Sequence, residues 1–306
     1  MVEGGRLGLA PLAWMVHAWT TSERVVHMMA ENGPILIPLD GSSLAEHALV
    51  DGAWLRSVTG LPVRLLHVME HEGTAEERQR LAEKFREYAT AEARKYGLGE
   101  VVCDVVTGSP AKEILQAAET ASYVVVATHG HGGFRAMIVG SVADKVIRGA
   151  KVPVLVEPGV EPPTPPGSGR PVLVALDGSE EAERGLALAR ELAKKGGLPV
   201  VLLRAYNVPP PAGIEFSYYP ADLSATLEAA AKEYLETTAK PGERTILVQG
   251  DAATAVMETA EREEASLIVM TSTGKGLAKR LALGSTTDRV VHGTKRAVLV
   301  VPTHQD

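Results

Sequence analysis

A single cysteine in 306 residues, Cys103, cannot close an internal disulfide, and its neighbours Val101 and Val102 make it a small buried side chain of an apolar run. A disulfide-stapled secreted fold is excluded, and a reducing cytoplasm is the expected compartment. Positive charge is also scarce: 31 Lys and Arg stand against 38 Asp and Glu, a net charge of −7. No broad basic face is expected that could neutralise phosphates by counterion release, so nucleic acid is not an expected partner. No apolar stretch reaches the ~20 residues of a membrane-spanning helix. The nearest approach, residues 7–20, is broken by Pro11 and His17, and it lacks both a basic start beyond Arg6 and a small-x-small cleavage pattern. A membrane is not an expected partner either. Asn occurs only at 32 and 207 and Gln four times, a bias of the kind seen in heat-adapted proteins. The G-x-x-x-x-G-K-[ST] phosphate loop is absent, and Gly274-Lys275-Gly276 does not supply it.

What the chain does contain is one pattern written twice. The composition, 45% hydrophobic and 23% charged, is that of a globular protein, and the length suits two domains. ILIPLDGSSLAEHAL at 35–49 returns as VLVALDGSEEAERGL at 172–186, and LPVRLLHV at 61–68 returns as LPVVLLRA at 198–205. VVTGSPAKEILQAAE at 105–119 corresponds to LVQGDAATAVMETAE at 247–261, and the segments 124–147 and 267–291 follow suit. Such self-similarity marks repeated structural units. Each half closes on a β-branched run, VPVLVEP or AVLVVP, and a Pro/Gly/Ser stretch between the halves reads as a linker. The expected division is an extension at 1–33, a first domain at 34–158, a linker at 159–170 and a second domain at 171–302.

Within each half, short runs of Val, Ile and Leu alternate with segments of helical period. Near-continuous apolar runs such as 172–176 and 122–127 are those of strands covered on both faces of a parallel sheet. Ala182, Leu186, Ala189 and Ala193 form one helical stripe, residues 74–95 a long amphipathic helix, Ser43-x-x-Glu46 a capping box, and Ser109-Pro110 a helix start. The order predicts an α/β protein of two repeated, doubly wound domains, each a five-stranded parallel sheet flanked by helices. The last strands, β-branched edges, are expected to pair the two halves.

Ligands of such sheets bind at the carboxyl ends of the strands, where strand order reverses. Pro38-Leu39-Asp40-Gly41-Ser42 ends the first strand, and Ala175-Leu176-Asp177-Gly178-Ser179 is its repeat. After the fourth strand stand Gly130 and Gly140-Ser141, matched at the same spacing by Gly274 and Gly284-Ser285. Glycine lets backbone N–H groups approach an anion, and a helix opening at Ser141 or Ser285 offers free N–H groups and a favourable dipole. Helix capping by Ser141-x-x-Asp144 and Ser285-x-x-Asp288 is the competing explanation. Asp40 and Asp177 suit an adenine amine or a ribose hydroxyl, or a turn cap, and the two roles are compatible. His129-Gly130-His131 lacks further metal ligands at suitable spacing, leaving solvated or phosphate-contacting histidines. Arg135, Lys275, Lys279 and Arg280 are loop cations, Lys275 being the best placed as a phosphate countercharge.

The LDGS run after strand 1, the turn Gly108-Ser109-Pro110-Ala111 and the loop ending Gly140-Ser141-Val142 resemble the universal stress protein family, over about residues 34–158 and 171–302. The resemblance implies a Rossmann-like, adenine nucleotide alpha hydrolase-like fold that binds ATP, with AMP or ADP as alternatives and Mg as companion ion. It implies tandem halves paired as two copies pair in a homodimer, with further homodimerisation open. Family members that bind ATP carry Gly-x-x-Gly-x(9)-Gly-Ser/Thr after strand 4. Here the leading glycine is replaced by Ala127 and Thr271. The site residues implied are Pro38, Asp40, Val68, Val126, Ala127, Gly130, Gly140, Ser141 and Val142. In the second half they are Asp177, Ala205, Met270, Thr271, Gly274, Lys275, Gly284, Ser285 and Thr286.

Three functions compete: a nucleotide-binding stress or signalling module, a weak ATPase or nucleotidyl-transferring enzyme, and a nucleotide-free partner-binding protein. HGHG at 129–132 is similar to a nucleotidyl-transferase signature but follows the fourth strand, where that signature follows the first. Residues 1–28 have no counterpart in the second half, so they are expected to lie outside the fold, with Met28 or Met29 as an alternative start. A chain beginning at Met28 should therefore fold with an unchanged melting temperature, measured by circular dichroism. A fall of many degrees would show that Trp14 and Trp19 pack on the domain.

Overall fold

The structure, a computed structural model, describes residues 33–70, 73–128, 139–160, 162–167, 169–207, 223–273 and 283–303. The expected N-terminal extension lies outside the described residues but for Gly33, whose N–H donates to the Ser122 hydroxyl. The first half runs β1 (Ile35–Pro38), α1 (Ser43–Thr59), β2 (Val63–Met69), α2 (Ala75–Lys95), β3 (Val101–Thr107), α3 (Pro110–Ala118), β4 (Tyr123–Ala127), α4 (Ser141–Gly149) and β5 (Val154–Glu157). The second repeats it: β6 (Val172–Ala175), α5 (Glu180–Gly196), β7 (Val200–Tyr206), α6 (Leu223–Thr238), β8 (Arg244–Gln249), α7 (Ala252–Arg262), β9 (Leu267–Thr271), α8 (Ser285–Gly293) and β10 (Ala297–Val301).

Strand order is 3-2-1-4-5 in one half and 10-9-6-7-8 in the other, all parallel within a half, as the alternating apolar runs require. The two sheets are one. β5 and β10 pair antiparallel in the register Val154–Val300, Leu155–Leu299 and Val156–Val298, so each covers the other's edge. The core is continuous across the join. Ile37, Leu155, Val174 and Leu299 belong to one buried cluster and Leu36, Val156, Leu173 and Val300 to the other, one on each face of the sheet.

Helices form where predicted, with revised chemistry at some ends. Ala182, Leu186, Ala189 and Ala193 are the buried stripe of α5. α2 begins with a capping box, Thr74 with Glu77. The box read at Ser43 and Glu46 does not form: the N-cap of α1 is Ser42, which accepts from the Ala45 N–H at 3.1 Å, and Glu46 instead accepts from the Tyr88 hydroxyl at 2.8 Å. A tertiary partner outcompetes the local one. Cys103 is half-buried rather than buried, because β3 is an edge strand, and burial raises its thiol pKa away from thiolate character.

The halves differ at a pair of buried positions that sequence reading missed. Asp51, on the sheet-facing side of α1, is fully buried, and its carboxyl faces that of Glu157, so the two can share a hydrogen bond only when one of them is protonated. Burial and the charge of Glu157, the last residue of β5 and itself 2% exposed, raise the Asp51 pKa; burial pushes Glu157 up to about 7. The repeat places Leu188 and Val301, both buried and apolar, at the equivalent positions. Acids whose pKa is raised on folding give stability that is intact below the unfolded value, 4.5 for Glu157, and is lost as pH rises toward about 7. The double substitution Asp51→Leu/Glu157→Val, which copies the second half, should stabilise the protein at pH 8 by ~1–4 kcal/mol. It should also flatten the loss of stability between pH 5 and 8, read by urea unfolding at both pH values. A destabilised variant at pH 8 would contradict this.

Candidate functional site

The site in each half begins where the sheet opens. The β1–β4 ladder holds only Ile35–Tyr123 and Leu36–Val124, although both strands run further, to Pro38 and Ala127. Pro38 has no N–H to donate, and order reverses between these two strands, so their carboxyl ends diverge around a cleft. The β6–β9 ladder likewise ends at Val174–Val269, short of Ala175 and Thr271.

Each first strand leads into the same turn. Gly41 has φ +86° and Gly178 φ +77°, left-handed values that favour glycine and hold the aspartate before it at the cleft. Asp40 Oδ1 accepts from the Ser42 N–H at 2.9 Å. Asp177 Oδ1 accepts from the Ser179 N–H at 3.0 Å and from its hydroxyl at 2.5 Å. Both aspartates therefore shape the turn. At Asp40 this uses one oxygen of an exposed carboxylate that has two.

Across the cleft, α4 and α8 start differently from capped helices. Their N-caps are Gly140 and Gly284, with Ser141 and Ser285 as first helical residues, and neither end has a side-chain cap. The expected alternative, serine capping completed by an acid three residues on, is not formed. Asp144 and Asp288 both accept from Arg148, Asp144 at 2.9 Å, in ion pairs that link α4 to α8 across the two halves. Asp144, Asp288 and His292 bring possible ligand atoms within 4.8 Å of one another, but the Arg148 guanidinium already supplies a cation to both carboxylates. Gly140 at φ −60°, ψ 148° and Gly284 at φ −59°, ψ 143° hold extended backbone that any residue adopts. Backbone conformation does not explain why glycine stands there.

These pieces enclose one cavity per half. Pro38, Asp40, Val68, Val126, Ala127, Gly140, Ser141 and Val142 all line a cavity of about 370 Å³. Asp177, Ala205, Met270, Thr271, Gly284, Ser285 and Thr286 line its counterpart of about 210 Å³. Gly130, Gly274 and Lys275 lie outside the described residues, as do His129, His131, Arg135, Lys279 and Arg280. Glu70, also lining the first cavity, escaped the sequence reading, although its place just past β2 was a usable signal. Thr271 replaces Ala127 at the strand end; its hydroxyl donates to the Thr273 carbonyl at 3.1 Å, and its carbonyl accepts from the Thr287 hydroxyl at 2.8 Å. The second cavity is the smaller, and at its strand end stands a threonine where the first has alanine.

The chain is similar in sequence and fold to proteins already described. The model of the universal stress protein family matches residues 31–158 and again 169–302. A universal stress protein of Mycobacterium tuberculosis is 25% identical over 288 residues, 87% of this chain and 96% of its own. One from Thermus aquaticus is 35% identical over 133 residues, 42% of this chain and 96% of its own length. The crystal structure of a universal stress protein from Archaeoglobus fulgidus superposes with a TM-score of 0.66 at 24% identity, covering 89% of this chain and 98% of that one. With the motif repeated along the chain and the fold repeated in space, the protein belongs to the universal stress protein family as a tandem of two domains.

Proposed function

We propose that the cavities bind adenine nucleotide, ATP with Mg, or AMP or ADP, and that the protein serves as a cytoplasmic stress-response binding or signalling module. One observation carries this: in both halves an uncapped helix start on an extended glycine shares a cavity with the carboxylate that ends the first strand. An uncapped start leaves N–H donors and a positive helix end for phosphate, and a glycine there lets a phosphate approach the backbone. At the other end, Asp40 or Asp177 can accept from an adenine amine or a ribose hydroxyl, and strand-end peptides at Val68 or Ala205 can pair with the base edge. Efficient catalysis is not part of the proposal. The acids nearest the helix starts, Asp144 and Asp288, are held by Arg148 rather than left to act as a base or a metal ligand.

The first half is the stronger site. Its cavity of about 370 Å³ falls within the roughly 300–1,000 Å³ usual for small-molecule pockets, whereas that of about 210 Å³ falls below. Calorimetry should find micromolar Mg-ATP binding dominated by the first site. Gly140→Val places a branched side chain where the phosphates would sit, on a backbone valine tolerates. Losing two charge-assisted hydrogen bonds of ~1.5–3 kcal/mol each weakens that site by roughly a hundredfold or more. Gly284→Val should affect only the second site, and Thr271→Ala should strengthen it. Unchanged ATP binding in the Gly140→Val/Gly284→Val double variant, folded by circular dichroism, would overturn the proposal.

A further inference from the structure

A third cavity, of about 220 Å³, lies away from both clefts, under the Pro-rich segment that joins β5 to β6. Its walls come from that segment, the carboxyl end of α7, the residues entering β9, and the residues entering β10. For the second half this is the amino end of the sheet, opposite the cavity at Met270 and Thr271.

The wall is rich in cations for its size. Arg170, Lys295 and Arg296 line it, with Glu261 and Glu157 as the acids. Arg296 pairs with Glu261 at 3.0 Å. Arg170 meets only backbone carbonyl, donating to that of Pro165 at 3.3 Å, and among the described residues neither it nor Lys295 has a carboxylate partner. The Nε atoms of Arg170 and Arg296 are both buried without a hydrogen-bond partner. Buried donors ordinarily find acceptors, and a guanidinium with an unpaired N–H is one whose hydrogen bonding the protein leaves incomplete. Glu157 does little to offset the charge: it belongs to the buried pair with Asp51, and burial favours its protonated form. Two guanidinium groups and an ammonium thus share a concave wall with two carboxyl groups, Glu261, already paired with Arg296, and Glu157, whose pKa burial raises to about 7.

We propose that this cavity binds a small phosphate-type oxyanion, held by Arg170, Lys295 and Arg296. Arginine forks suit tetrahedral or planar oxyanions, and the lysine adds a point charge. At about 220 Å³ the cavity has room for such an ion and its contacts. Thr128, which leaves β4 toward the glycine loop, donates its N–H at 2.8 Å and its hydroxyl at 3.2 Å to the carbonyl of Glu157.

The experiment uses the full chain carrying Gly140→Val and Gly284→Val, so that phosphate cannot be drawn to the glycine loops and the outcome stands apart from nucleotide binding. Titration calorimetry with inorganic phosphate, in buffer free of other multivalent anions, should show saturable uptake of one ion per chain. Lys295→Glu should weaken that uptake by ~10-fold or more, the loss of one charge-assisted contact. Lys295 is exposed and outside any ion pair among the described residues, so this variant keeps its fold, as circular dichroism will confirm. Arg170→Gln should weaken uptake likewise; should it fail to fold, Lys295→Glu decides alone. Absence of saturable uptake, or uptake unchanged by Lys295→Glu, overturns the proposal.

Discussion

Two β-branched strands that would otherwise be exposed edges, β5 and β10, pair antiparallel, and the architecture depends on that ladder. Each half ends on its own hydrophobic strand, and three register pairs join two parallel sheets into a ten-stranded one. Both faces of the join are dry: Val154, Leu155 and Val156 meet Val298, Leu299 and Val300 with every side chain buried. The two apolar clusters then run through both halves of the molecule, one on each face of the joined sheet. The same ladder sets α4 beside α8, which is why Arg148 of one reaches Asp288 of the other. That pair is about a third exposed and solvent-screened, so it orients the helices more than it stabilises them.

Duplication with divergence has left one backbone carrying two chemistries. At the strand end of the cleft, Ala127 leaves space where Thr271 ties itself to Thr273 and Thr287. On the second strand, His67 bonds the Leu39 carbonyl and stacks on Phe85, whereas Arg204 in the repeat lies over Tyr234 as a cation–π pair. In the interior, Asp51 and Glu157 occupy the places of Leu188 and Val301. Burial raises the pKa of both acids, so the interior favours their protonated forms and disfavours their charged ones.

The division of labour between chain and fold follows from the range of the forces involved. Strand and helix identity, the doubly wound order and the internal repeat were legible in the linear sequence, because periods of two and 3.6 residues and glycine turns such as Asp40-Gly41 are local properties. The family motif was legible for the same reason. What the linear order could not reveal depended on partners far along the chain. Ser42 rather than Ser43 caps α1, and Glu46, read as the acid of a local box, instead meets Tyr88, 42 residues beyond it. Ser141 is no cap because the helix already includes it: Gly140 holds the N-cap position and its carbonyl accepts from the Asp144 N–H. The buried acid pair and the cationic cavity under the linker join residues over 100 positions apart, brought together by sheet closure alone. Local propensity determined the elements and the turns that carry Asp40 and Asp177; long-range packing alone decided which side chains meet, because burial and charge act through space.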